Sequence, residues 1–258
     1  MESVQFKVEQ GVAFLILNRP EKFNSFNKEM ALRFQDLLDH CNTNEEVRSI
    51  LIMGEGKAFC AGQDLQEVTD PNGPELSEIV REHYNPIIAR IRTIEKPVIT
   101  AVNGVAAGAG TNIALAGDIC IATESASFIQ AFSKIGLIPD SAGTFFLPRI
   151  IGFQKASALM MLGDKVSAAD AEALGMIYKV FSDDEFKAGA EALAVKLAKM
   201  PTKGLGLTKR ALNASFSNDL TAQLALEDKL QTEAGGTYDY NEGVAAFLEK
   251  RKPEFKGR

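Results

Sequence analysis

Residues 96–122 read KPVITAVNGVAAGAGTNIALAGDICIA. "VITAV" (98–102) is too short for a helix and lacks a polar face. It reads as a strand covered on both sides. "ICIA" (119–122) reads the same way. Between them a run of small residues, "NGVAAGAG" (103–110), leads into an apolar helix, "TNIALAG". Buried strand, helix and buried strand in succession predict an α/β core.

The pattern extends outward from there. "VQFKV" (4–8) and "VAFLILN" (12–18), separated by a turn that includes Gln-Gly, predict a hairpin. Residues 27–41 place Met30, Phe34, Leu37, Leu38 and Cys41 on one helical face. "SILIMG" (49–54) is another buried strand. Residues 75–94 have helical periodicity, with a Pro86 that should kink or break it. Beyond about residue 154 the β signals fade. Ser167 is placed as the N-cap of a helix, and three or four amphipathic helices fill 183–252. The expected organisation is a core over 1–198 and a helical C-terminal region over 199–258. That region must bury Leu220, Leu224, Leu230, Val244, Phe247 and Leu248, on its own core or on a neighbouring subunit.

Composition excludes several classes of function. The chain has 258 residues, 46% hydrophobic and 24% charged, with a net charge of −6. A nucleic-acid surface needs a basic face, so that partner is not expected. No apolar run is long enough to span a membrane, and the N-terminus lacks a secretion-signal pattern. The three cysteines, Cys41, Cys60 and Cys120, are odd in number and lack paired spacing. They read as reduced thiols of a cytoplasmic protein. The two histidines, His40 and His83, read as surface or packing residues. A Ser-His-Asp hydrolase, a Cys60 nucleophile with a histidine base and a metal site are therefore not expected.

The glycine-rich run has two readings. A dinucleotide fingerprint needs a third glycine where Ile113 stands, and an acid about twenty residues on. Asp118 comes too early and Glu124 too soon after the strand. The other reading is a helix start whose bare N–H groups receive a developing oxyanion. A second donor is then needed, and "KAFCAGQDL" (57–65), another Ala-Gly turn after a buried strand, is the candidate. "GLIPDSAGT" (136–144) adds one carboxylate, Asp140, in apolar surroundings. Pro-Asp-Ser is ordinary turn chemistry, but a carboxylate against apolar walls costs free energy unless paired, hydrated or used.

Four segments, "RPEKFNSFN" (19–27), "KAFCAGQDL", residues 96–122 and "GLIPDSAGTFFLPRIIG" (136–152), together resemble the crotonase (enoyl-CoA hydratase/isomerase) superfamily. The resemblance runs from about residue 4 to "FLEKRKPEF" (247–255). It implies a spiral of ββα units with a C-terminal helical trimerisation region. The implied assembly is a homotrimer or a dimer of trimers. The implied partner is an acyl-CoA thioester, with coenzyme A entering as part of the substrate and no separate cofactor or metal.

Residue by residue, the resemblance implies an oxyanion hole from the N–H groups of Gln63 and Ala109. It implies coenzyme A contacts from Lys22, Ala61, Asp64 and Leu65, with a turn-capping role for Asp64 as the plain alternative. Water-adding members carry two glutamates where this chain has Asn112 and Phe132. Neither can exchange protons with water, so a standard hydratase is not expected. Asn112 is expected to orient the acyl group or the Asp140 side chain, and Phe132 to face the substrate. Asp140 falls where isomerase-type members place a catalytic aspartate. A pocket of Phe128, Phe132, Ile135, Leu137 and Phe145 would raise its pKa by desolvation. The resemblance, through the string "GLIPDSAGTFFLPR", implies conversion of the ring epoxide of phenylacetyl-CoA to an oxepin-CoA. The alternatives are a Δ3,Δ2-enoyl-CoA or dienoyl-CoA isomerase, and a non-catalytic acyl-CoA binder.

Overall fold

A computed structural model describes residues 2–258. Strands β1 (Val4–Glu9) and β2 (Val12–Leu17) pair antiparallel, with Val4 opposite Leu17. Gln10 and Gly11 turn the chain with φ of 52° and 78°, the left-handed pair of a type I′ hairpin. A 3₁₀ turn (Pro20–Lys22) precedes helix α1 (Lys28–Thr43). The Asn27 side chain caps α1 by accepting from the Met30 N–H. Met30, Phe34, Leu38 and Cys41 are buried along α1, as their spacing requires, while Leu37 is half-buried.

Three times the chain then passes from a strand of one sheet by a tight turn into a strand of a second sheet. β3 (Ser49–Gly54) leads to β4 (Ala58–Cys60), β5 (Val98–Val102) to β6 (Val105–Ala107), and β7 (Ile119–Thr123) to β8 (Ser127–Ile129). β9 (Lys165–Ser167) and β10 (Lys179–Phe181) complete the strands. The first sheet has the order β1-β2-β3-β5-β7-β10 and the second β4-β6-β8-β9. Apart from β1 with β2 and β8 with β9, the pairs are parallel. This is the ββα spiral. Its second-sheet strands and β10 escape sequence reading because each is three residues long, too short for a period.

Helices α2 (Leu65–Val68), α3 (Leu76–Glu78), a π-helical segment (Ile79–Tyr84) and α4 (Asn85–Thr93) follow β4. Pro86 falls in the first turn of α4, just after the π turn. A proline cannot donate to the carbonyl four residues before it. Here the Gln35 amide donates to that carbonyl, Glu82 O, at 2.8 Å. The expected kink is thus a change of helix type, with the orphaned acceptor satisfied from α1.

α5 (Ala109–Ala116) lies between β6 and β7 and is buried throughout. Then come α6 (Gly143–Ile151), α7 (Phe153–Leu162), α8 (Ala168–Ala173) and α9 (Asp183–Ala198). Ser167 caps α8, as expected. α10 (Thr202–Ala214), α11 (Leu220–Gly235) and α12 (Tyr238–Glu249) end the chain.

One face of the large sheet packs on α1, α4 and α5. The other packs Val12, Phe14, Leu51 and Ile99 against Phe186, Ala190, Ala194 and Ala198 of α9. Both faces are covered, which is why the strands read as continuous apolar runs. Arg48 ties the C-terminal segment to the core by donating to Thr202 Oγ1, Met200 O and Phe255 O. Buried Asp239 accepts from the Lys256 and Gly257 N–H groups.

Candidate active site

The "RPEKFNSFN" segment and the Ala-Gly turn are laced together by their backbones. Ala61 N donates to Phe23 O, Phe26 N to Gly62 O and Asp64 N to Phe26 O. Phe26 and Gln63 form a parallel bridge. In such a bridge the flanking residues 62 and 64 make the hydrogen bonds, so the Gln63 N–H points away from residue 26. Gly62 has φ of +90°, and a Cβ there would come within 3.0 Å of Ala107 O and 3.4 Å of the Ala109 nitrogen. Only glycine lets this turn lie so close to the start of α5. Ala109 opens α5 after Gly108, whose φ is 54°. Helix-start N–H groups have no intrahelical acceptor. The two amides assigned to the oxyanion hole therefore stand on adjoining backbone.

Asp140 lies on the loop before α6. Its Oδ1 accepts from the Ser141 hydroxyl at 2.8 Å. Burial pushes its pKa above the ordinary aspartate value, and the Ser141 hydroxyl and its own backbone only partly oppose this. The Asp140 loop is joined to α5 through its backbone, and a second chain of hydrogen bonds runs from Tyr84 to the Ala-Gly turn. Asn112, one turn along α5 from Ala109, donates to the Asp140 carbonyl oxygen at 2.8 Å. Tyr84, which is close enough to feel the Asp140 charge, donates from its hydroxyl to Gln63 Oε1 at 3.0 Å. Gln63 Nε2 in turn donates to Glu67 Oε2 at 2.7 Å. Burial holds the Tyr84 phenol neutral, with its pKa well above the ordinary value.

Several expected placements change. Asn112 is 1% exposed. Its amide meets the backbone of Asp140 and its oxygen accepts from Gln130 Nε2 at 2.8 Å. It does not hydrogen-bond the Asp140 side chain, and its polar atoms are engaged within the protein. Asp64 takes the capping role. Its Oδ1 accepts from the Gln66 N–H, and its Oδ2 pairs with Arg19 at 2.8 Å. Burial acts to raise its pKa, but Arg19 and the Gln66 amide hold it below the ordinary value.

Phe132 is buried, with its ring within 3.8 Å of where a Gly108 Cβ would stand, so it roofs the oxyanion turn. Phe128 belongs to the main core, and Phe145 packs edge-on against Phe146 and Phe216 beneath Arg149. Ile135 and Leu137 are exposed. The expected five-residue pocket therefore does not form as a unit. Lys22 donates to Gln66 Oε1 at 2.7 Å, and exposed Leu65 and Ala61 lie along the same rim.

The Tyr84–Gln63–Glu67 chain carried no sequence signal, because the π turn that turns Tyr84 inward is not a periodic feature. His83 is the packing residue of the two readings: it is buried, with neither ring nitrogen hydrogen-bonded, and burial lowers its pKa. Cys60 lies under the turn. Burial pushes its thiol up to about 12, so it is not a ready nucleophile.

Residues 7–258 match the family described as Enoyl-CoA hydratase/isomerase. The 1,2-epoxyphenylacetyl-CoA isomerase of Escherichia coli (strain K12) is 49% identical over 261 residues, covering 100% of both chains. The trans-2-decenoyl-(acyl-carrier-protein) isomerase of Streptococcus mutans is 34% identical over 260 residues, covering 100% of this chain and 99% of the relative. A crystal structure of an enoyl-CoA hydratase from Polaromonas sp. JS666 superposes with a TM-score of 0.91 at 35% identity. It covers 98% of this chain and 99% of its own. The chain belongs to the enoyl-CoA hydratase/isomerase family, the crotonase superfamily. It is an enzyme of that family with the crotonase fold.

Proposed function

We propose that the chain is an acyl-CoA isomerase that uses Asp140 as its one proton carrier, and that its substrate is the ring 1,2-epoxide of phenylacetyl-CoA. The observation that carries this reading is a single desolvated carboxylate, Asp140, on a loop that Asn112 hydrogen-bonds to α5, the helix that Ala109 opens. Adding water needs one group to activate the water and another to protonate carbon. An isomerisation returns the proton it removes, so one carboxylate suffices.

Asp140 takes a proton from the carbon next to the thioester. Negative charge moves onto the thioester oxygen, where the Gln63 and Ala109 N–H groups receive it. The C–C bond shared by the epoxide and the six-membered ring breaks, both C–O bonds are kept and the ring expands to the seven-membered oxepin. The proton returns to the ring carbon next to the one bearing the side chain, as a double bond moves out of the ring into conjugation with the thioester. The bulk composition of the substrate is unchanged and no electrons leave it, so the reading calls for no metal or redox cofactor. Coenzyme A enters only as part of the substrate, along the rim of Lys22, Ala61 and Leu65, with Asp64 bracing that rim. The relative at 49% identity, an isomerase of this substrate by name, supports the choice of acyl group.

The second reading is movement of a double bond from the 3- to the 2-position of an enoyl-CoA by the same carboxylate. The Streptococcus mutans relative, also an isomerase by name, favours it. Turnover of each substrate in deuterated water, beside Asp140→Asn, separates the two. Oxepin-CoA formed from the epoxide and lost in the variant supports the first reading. Conversion of the 3-enoyl-CoA alone supports the second. Full turnover in the variant would remove both.

A further inference from the structure

We propose that Gln130 and Asn112 are positioning residues for the Asp140 base, acting through the Asp140 backbone carbonyl. The inference rests on the reading of Asp140 as the base. Gln130 follows β8 directly and Asn112 lies on α5, and both are buried. Gln130 Nε2 donates to Asn112 Oδ1, and Asn112 Nδ2 donates to Asp140 O, each at 2.8 Å. The same carbonyl accepts from the Gly143 N–H at 2.9 Å. Direction is imposed along the chain. Turning either amide over would set oxygen against oxygen.

The segment held this way is strained. Ser141 and Ala142 have φ of 50° and 57°. Consecutive non-glycine residues hold that conformation only where their surroundings enforce it. A side chain at Gly143 would land on the Asn112 amide, so turn and amide are fitted to each other. With the Asp140 carbonyl clamped by two donors, the direction of its Cα–Cβ bond is set, and the carboxylate is aimed from there.

Gln130 gives a second, independent observation. Its Oε1 is buried without a hydrogen-bond partner. An orphaned buried acceptor costs stability that an apolar side chain of the same shape would not. A purely structural position would favour the apolar residue. The glutamine is explained by its one working bond, to Asn112.

The test uses Gln130→Met, Asn112→Leu and the double variant of the full chain, with Asp140→Asn as reference. The Asp140 carboxyl carbon is followed by ¹³C NMR titration, its resonance assigned by its loss in Asp140→Asn. Turnover of the ring epoxide of phenylacetyl-CoA and of 3-hexenoyl-CoA in deuterated water is measured in parallel, and kcat is read on whichever the wild type converts. Ser141, which donates to the carboxylate, and Tyr84, whose phenol feels its charge, are unchanged throughout. The Asp140 midpoint is expected to fall toward the ordinary aspartate value in both single variants as water reaches a loosened loop.

A roughly 10- to 100-fold fall in kcat is expected, with KM within about twofold, as for a misplaced catalytic group. The double variant should be no worse than Asn112→Leu, since the two act in series. Gln130→Met, the milder change, keeps the test open if Asn112→Leu does not fold. A folded Gln130→Met with an unmoved midpoint and wild-type kcat overturns the proposal. Full turnover in Asp140→Asn would overturn the reading of Asp140 as base instead. The titration still reports on whether the amides hold it.

Discussion

At the residue scale the chemistry rests on one carboxylate and two amides. Asp140→Asn should cost at least about 10²-fold in turnover, the usual worth of a positioned general base. Because burial raises the Asp140 pKa, the base form is lost at a higher pH than for an ordinary aspartate. The acidic limb of kcat/KM should therefore lie above that of an ordinary aspartate and vanish from the residual activity of the variant. Ala109→Pro tests the amides. Proline is tolerated at the first position of a helix, but it carries no N–H. Turnover should fall about 10²- to 10³-fold, the measured worth of one oxyanion donor.

At the scale of elements, the site depends on how short pieces are pinned. Asp64 caps α2 and pairs with Arg19 while largely buried. Arg19→Ala leaves that carboxylate uncompensated, which costs about 3–5 kcal/mol at buried pairs, read by urea unfolding. The folded pKa of Asp64 is depressed. Its stabilisation is thus complete above the unfolded aspartate pKa of about 3.9. It is lost as pH falls through the lower folded value, so the gap between wild type and Arg19→Ala should narrow in acid. The π turn does comparable work for Tyr84. The rotation it introduces faces Tyr84 toward Gln63, and Gln35 covers the carbonyl that Pro86 leaves open.

At the scale of the molecule the helical tail leaves much apolar surface in the single chain. Leu230 is buried, but Phe247 is 83% exposed and Leu248 74%. A groove of about 710 Å³ lined by Tyr240, Val244, Phe247, Leu248 and Phe255 opens there, away from Asp140. Isolated apolar residues are common on surfaces, whereas a contiguous patch marks an interface. We propose that the homotrimer or dimer of trimers implied by the resemblance covers this patch. In sedimentation, wild type should run as a trimer or larger, and Phe247→Asp with Leu248→Asp should shift it toward monomer. A monomeric wild type would remove the assembly. Among the described residues, no helix is long and apolar enough to cross a membrane.

The apolar runs, the hairpin turn and the α1 face were legible in the sequence, because each is a local period with a local cause. The motifs of the Ala-Gly turn and the "IPDSAG" loop made the family and the candidate acid legible as well. What the tertiary structure decided is everything that joins distant segments. Three-residue strands form only because a neighbouring strand offers hydrogen bonds. Asn112 turns to the Asp140 backbone rather than outward because Gln130 and Gly143 meet it there. Phe128 and Phe145 go to other clusters because their elements pack elsewhere. Periodicity records which face of an element is buried. Only the packing of one element on another determines which buried polar atoms meet, and at this site those meetings aim the carboxylate.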